Sequence, residues 1–124
     1  MKTINTKEAP AAIGPYSQAK VVNGTLYTSG QIPLCATSGE IVGSNVTEQT
    51  EEVMKNMAAV LKEAGTDFEN VFKTTCFLSD MANFAAFNEV YGKYFTSNPA
   101  RSCVAVRELP KGVLVEVEAI AIIK

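Results

Sequence analysis

Val113-Leu114-Val115-Glu116-Val117-Glu118-Ala119-Ile120-Ala121-Ile122-Ile123 is the stretch from which the fold is read. β-Branched residues dominate it. Alternation sets Val113, Val115, Val117, Ala119 and Ala121 on one face and Leu114, Glu116, Glu118, Ile120 and Ile122 on the other. Both faces of this strand are largely apolar, as in a sheet covered on both sides. The rest of the chain offers two helices, enough to cover one face. The second face is therefore expected to pack against another copy of the chain, and a charge at Val117 to weaken that assembly if its face is the shared one.

Upstream, Leu109-Pro110-Lys111-Gly112 reads as a turn and Arg101 to Val106 as a further strand. Asp80 is placed to cap a helix whose apolar side holds Phe84, Phe87, Val90, Tyr91, Tyr94 and Phe95. That helix should stop before Pro99, because the residue preceding a proline avoids the α region. Val71 to Leu78 is a short β-prone run. Before it, Val53, Met54, Met57, Val60, Leu61 and Ala64 recur at helical spacing, with Asn45 or Thr47 as N-cap and Gly65 as terminator. Asn23-Gly24 between Ser17–Val22 and Thr25–Ser29 is a strong hairpin signal. Gln31 to Ser44, with Pro33, Gly39 and Gly43, reads as a surface loop. No linker or repeat divides the 124 residues, so residues 1–124 are expected to form one domain.

Composition narrows the chemistry. Eleven basic and 13 acidic residues leave a net charge of −2, with no basic run to follow a phosphate backbone, so nucleic acid is not expected as a partner. No apolar run approaches the ~20 residues that span a bilayer, and the first residues lack the apolar core of a signal peptide; the expected location is the cytoplasm, with no membrane association. The three widely spaced cysteines, Cys35, Cys76 and Cys103, fit reduced thiols. Histidine is absent. Its absence removes Ser-His-Asp and Cys-His catalysis and histidine-based metal sites, leaving acid and base work to carboxylates, Lys, Tyr or Cys.

Several residues stand out against that background. Arg101 begins an apolar strand, where a guanidinium is costly unless it meets an anion. Pattern alone favours a structural ion pair, for example with Glu116 or Glu118; the sharper alternative is bidentate capture of a substrate carboxylate. Glu116 and Glu118 share one apolar face, an arrangement that tends to raise at least one carboxyl pKa toward neutrality, although pattern alone favours plain pairing with Arg or Lys across the sheet. Cys103 projects from the same side as Arg101 and reads better as a small buried hydrophobe than as a nucleophile. The Gly30 amide is a candidate for holding a carboxylate oxygen, and a plain turn accounts for the same glycine.

Taken in order, Gly14-Pro15-Tyr16-Ser17-Gln18-Ala19, Tyr27-Thr28-Ser29-Gly30-Gln31-Ile32-Pro33, Pro99-Ala100-Arg101-Ser102-Cys103-Val104 and Leu109-Pro110-Lys111-Gly112 through Val115-Glu116-Val117-Glu118-Ala119 resemble the signature segments of the RidA/YjgF family. The resemblance spans essentially the whole chain. It implies an α+β fold like that of the Bacillus chorismate mutases, a mixed β-sheet with two helices packed on one face, three chains associating through their sheets, and ligand sites in the clefts between subunits. It implies hydrolysis of 2-imino acids to 2-keto acids without metal or cofactor. Arg101 matches the family arginine that grips the substrate carboxylate and Glu116 the carboxylate that positions water. Tyr16, Ser29, Gly30, Asn88 and Cys103 match residues lining the cleft, Cys103 through its backbone. Glu118 also matches a usual family acid and is given a structural role. One departure is the short Thr96-Ser97-Asn98-Pro99 connection, which lacks an aromatic residue common before this proline and bears on the cleft rim.

The expected reaction begins from a protonated imine such as 2-iminopropionate or 2-iminobutyrate. Arg101 and the Gly30 amide bind the carboxylate, and Glu116 orients water and carries a proton toward departing ammonia. A non-catalytic 2-keto-acid-binding module is the main alternative. A chorismate mutase is a rival by fold analogy alone, and a ribonuclease is disfavoured by the acidic balance and missing histidine.

Overall fold

The computed structural model describes residues 1–124. Its strands are β1 (Lys2–Ile4), β2 (Ala19–Val22), β3 (Thr25–Thr28), β4 (Val71–Leu78), β5 (Ala100–Ala105) and β6 (Val115–Ile122), with helices α1 (Val46–Ala64) and α2 (Phe84–Tyr94). The strands form one mixed sheet in the order β1-β2-β3-β6-β4-β5. Only β4 and β5, joined through α2, run parallel. The antiparallel remainder includes the β2–β3 hairpin, which turns at Asn23 and Gly24, both at positive φ.

Local chemistry sets the helix ends. Asn45, not Thr47, caps α1: its Oδ1 accepts from the Glu48 N–H at 2.9 Å, while Glu48 Oε1 accepts from the Ser44 N–H at 2.8 Å. Gly65 closes the helix in the left-handed region, with φ of 83°. Asp80 accepts from the Ala82 N–H at 2.8 Å and opens a short 3-10 turn, Met81–Asn83, that leads into α2.

β6 lies inside the sheet, between β3 and β4. Its Val115, Val117, Ala119 and Ala121 are buried with Val53, Met57, Val60, Leu61, Phe87 and Val90 in the core between sheet and helices. The opposite face is uncovered. Register places Glu116, Glu118 and Ile120 there beside Phe77, Thr75 and Lys73 of β4, which in turn sit beside Val104, Ser102 and Ala100 of β5. Tyr27 and Ile122 extend the same face, with Tyr27 47% and Ile122 55% exposed.

Two expectations change and one strand is added. Val117 points into the chain's own core, so a charge there disrupts folding, and the outward apolar residues are Ile120 and Ile122. The N-terminal strand β1 was not anticipated; it adds an edge to the hairpin through Thr3 and Lys20. The Gln31–Ser44 segment is not wholly a surface loop, since Gln31 and Leu34 are buried and a Gln31–Val117 bridge fastens its start to β6. No helix is long and apolar enough to cross a membrane.

Candidate active site

A cavity of about 590 Å³ opens where the N-terminal segment, the Ser29–Leu34 segment and β6 meet. Tyr16, Ser29, Gly30, Lys111, Glu116 and Glu118 are among its lining residues. The chain builds it from three fixings. Gln18, buried, donates from Nε2 to the Thr6 carbonyl at 3.0 Å and the Pro10 carbonyl at 2.8 Å, and its Oε1 accepts from the Thr6 N–H at 2.7 Å. This folds the N-terminal segment over the mouth. Ser29 is held by its hydroxyl on the Ser17 carbonyl at 2.6 Å and by its N–H on the Gln18 carbonyl at 2.9 Å. Gln31 exchanges backbone bonds with Val117 at 2.7 and 3.1 Å.

That last bridge sets Gly30 directly against Glu116. A β-carbon on Gly30 would lie 1.9 Å from Glu116 Oε2 and 2.7 Å from its Cδ. Only a glycine leaves the carboxylate in this position, because a side chain here would displace it. The Gly30 N–H donates to no group of the chain, which leaves a backbone donor beside the carboxylate in a cavity. Burial in the cavity pushes the Glu116 carboxyl above its ordinary value, and the Glu118 charge adds to the rise. Such a carboxyl is better matched to proton transfer near neutrality. Lys111 supplies positive charge at the rim, on a backbone held at φ 57°. No three Cys, Asp or Glu side chains converge as a metal site needs.

Arg101 lies elsewhere. It pairs with Thr74 in the β4–β5 register, on the sheet face that carries α2, whereas Glu116 pairs with Phe77 on the open face. Arg101 Nη1 donates to Asn88 Oδ1 at 2.7 Å. Its guanidinium carbon stands 4.8 Å from the Tyr91 ring centre and 5.5 Å from that of Phe84, a cation–π setting. Tyr91 is itself anchored by a 2.7 Å hydroxyl contact with Thr74. Arg101 therefore forms no ion pair with Glu116 or Glu118, and the chain's salt bridges are Lys93–Glu51 and Lys124–Asp67. Cys103 shares the Arg101 face, and burial pushes its thiol up despite the nearby guanidinium, which keeps it protonated at neutral pH.

The residues singled out from sequence thus fall into two groups. Tyr16, Ser29, Gly30 and Glu116 meet in the cavity. Arg101 and Asn88 touch at the sheet's edge, with Cys103 beside them on β5, the strand that ends the sheet. Within one chain the groups do not meet. Sequence reasoning missed the parts played by Gln18, Gln31 and Lys111; the positive φ of Lys111 is invisible in a non-glycine residue, and Gln18 is legible only as one polar residue in a motif.

A family model described as Endoribonuclease L-PSP matches residues 6–123. The chain belongs to this family, the RidA/YjgF family. A Lactococcus lactis protein that carries a regulator's name, AldR, is 58% identical over 100% of the chain and 99% of its own length. The human 2-iminobutanoate/2-iminopropanoate deaminase is 50% identical over 98% of the chain and 89% of its own length. The crystal structure of Escherichia coli TdcF with bound serine superposes with a TM-score of 0.94 at 41% identity, covering 100% of both chains. The six-stranded mixed sheet with two helices is accordingly the RidA/YjgF fold. Names within the family range from deaminase to regulator to endoribonuclease.

Proposed function

We propose that this RidA/YjgF chain is an enamine/imine deaminase that hydrolyses 2-iminobutanoate- and 2-iminopropanoate-type imino acids to 2-keto acids and ammonia. The observation that carries this reading is the raised Glu116 carboxyl packed against the Gly30 backbone, whose N–H has no other partner. A protonated imine is already electrophilic, so it needs an anchor, a directed water and a proton carrier, and the residues above supply these without invoking a metal or cofactor. Arg101 and the Gly30 N–H hold the carboxylate, and Tyr16 and Ser29 complete the polar contacts. Glu116 takes a proton from water as the oxygen bonds to the imine carbon. The same carboxyl returns it to nitrogen, takes the hydroxyl proton of the adduct as the C–N bond breaks, and passes that proton to the departing ammonia, so iminium plus water become keto acid plus ammonium.

Arg101 and Glu116 serve one substrate only if they come from different chains. The exposed face bearing Ile120, Ile122, Tyr27 and Val104 offers the apolar surface for such association. In this reading a head-to-tail contact presents the β5 edge of one chain to the cavity of the next and closes as a ring of three, the closed form of such a contact and the one in keeping with the family resemblance. The near relative named as a deaminase and the structure holding serine, a small amino acid, agree with a small carboxylate ligand. RNA cleavage, the activity in the family's description, finds no support in a cavity with two carboxylates and one lysine on a chain of net charge −2. The proposed location is the cytoplasm, where dehydratases that release such imines act.

One observation favours a second reading. A relative 58% identical carries a regulator's name, which agrees with reading this chain as a non-catalytic 2-keto-acid sensor. Glu116 separates the two, because a second negative charge beside a bound carboxylate weakens simple binding. The deciding experiment couples a serine or threonine dehydratase to this protein and follows keto-acid release. Faster release with the protein present is expected; an unchanged rate alongside measurable keto-acid binding establishes the sensor instead.

A further inference from the structure

Asn56 sits in the middle of α1 among Val53, Met57 and Val60, fully buried, on a face where an apolar residue would complete the core. Its Nδ2 donates to the Ile32 carbonyl at 3.0 Å and to the Leu34 carbonyl at 2.9 Å. Both partners only accept, so the nitrogen side of the amide must face them. The oxygen is left behind: Asn56 Oδ1 is the one buried side-chain polar atom in the chain without a hydrogen-bond partner. An orphaned buried oxygen is a standing cost to stability that leucine at this position would avoid.

The two tethered carbonyls bracket Pro33, which has no N–H to give. The same segment is also fastened by the paired Gln31–Val117 bonds and by the Val42 N–H on the Pro33 carbonyl at 2.8 Å. Gly30 lies just before the Gln31–Val117 bridge and the Asn56-tethered carbonyls just after it, so the Gln31–Leu34 run that seats Gly30 against the Glu116 carboxylate is held from both β6 and α1. We infer that Asn56 is a positioning residue of the active site, whose amide clamps the Ile32–Leu34 carbonyls onto α1 and thereby keeps the Gly30 backbone in contact with Glu116. The inference rests on the site reading given above and adds a residue that never touches the substrate.

Glu116 reports on this clamp. The charged and titratable groups facing it are Glu118 on the same strand, Lys111 from the preceding turn and Tyr16 from the N-terminal segment, while β4 and β5 contribute the neutral Phe77 and Val104. Replacing the neutral Asn56 alters none of those charges. A loosened Gly30 segment admits water to the carboxylate and lowers its pKa toward the ordinary value.

The test uses the full chain in three variants. Asn56→Leu keeps the branched shape of the side chain and removes both donors. Asn56→Ser keeps one hydroxyl donor. Thr66→Val deletes a comparable side-chain bond, from Thr66 Oγ1 to the Ile122 carbonyl at 2.7 Å, away from the cavity. The Glu116 carboxyl is titrated by carbon-detected NMR, the Gly30 amide resonance is followed, and imine hydrolysis is assayed. Asn56→Leu is expected to move the titration midpoint down, shift the Gly30 resonance and lower kcat about 10- to 100-fold, with KM changing less. Asn56→Ser should fall between, and Thr66→Val should lower the melting temperature while leaving midpoint and kcat in place. An unmoved midpoint and Gly30 resonance in folded Asn56→Leu, or in Asn56→Ser should the leucine variant not fold, overturns the inference and makes Asn56 purely structural. Wild-type protein that hydrolyses no imine overturns the deaminase reading instead, and the titration still decides the role of Asn56.

Discussion

Gly30→Ala isolates the contact on which the proposed chemistry rests. Gly30 does not occupy the left-handed region, so alanine brings no backbone strain and the whole effect arises at the new methyl. That methyl would stand 1.9 Å from Glu116 Oε2, against the 3.4 Å at which ordinary contact begins, so the carboxylate must retreat by about 1.5 Å. Misplacing a reacting group by 1 Å costs about 100-fold, and loss of a positioned acid/base costs about 100- to 10,000-fold. Imine hydrolysis should therefore fall by at least about 100-fold. Stability should hardly change, because the displaced carboxylate moves toward solvent, and a shift of ~1 kcal/mol would move the melting temperature by only about 4 °C. The coupled dehydratase assay and a thermal melt on the same sample give both numbers. Hydrolysis within about threefold of wild type would refute the idea that Glu116 acts from its position against Gly30.

Arg101→Lys retains charge but loses the planar two-pronged donor, and Arg101→Ala loses both. If the bidentate contact contributes ~2–4 kcal/mol to the transition state, catalytic efficiency in steady-state assays drops roughly 30- to 1000-fold, most in the alanine variant. Glu116→Gln should bind keto acid in calorimetry at least as well as wild type while hydrolysing imine poorly. The same variant tests linkage: a carboxyl whose folded pKa is raised destabilises the fold above that pKa and costs nothing below its unfolded value. Glu116→Gln should thus melt higher than wild type at pH 7, with the difference vanishing as the pH falls below about 4.3. Ile122→Glu places a charge on the exposed face and should shift light scattering toward the monomer with the fold intact; an unchanged mass would remove that face from the interface.

Elements governed by near neighbours were legible. Asn23-Gly24 turned the hairpin, Asn45 and Gly65 bounded α1, and the two-residue period of Val113 to Ile123 separated its faces correctly. What period cannot say is which face of one strand matches which face of another. Arg101 and Glu116 each sat correctly within their own alternation, yet only register with β4 reveals that they point to opposite sides of the sheet. The cavity contact between Gly30 and Glu116 joins residues far apart in the chain through one isolated bridge, and no local signal marks it. β1 was missed because three residues are too few to carry a pattern.

If one substrate is shared between chains as proposed, the placement of Arg101 and Glu116 on opposite faces has a genetic consequence. Two inactive chains, one carrying Arg101→Ala and the other Glu116→Gln, each retain the half that the other lacks. Denatured together in equal amounts and refolded, they should form mixed rings in which about a quarter of the clefts pair an intact arginine with an intact glutamate, assuming random assembly. Activity would reappear from two dead proteins, and a cell bearing both alleles would be protected where either alone fails. The damage done by a missense change at this site would then depend on which half it strikes and on which allele accompanies it.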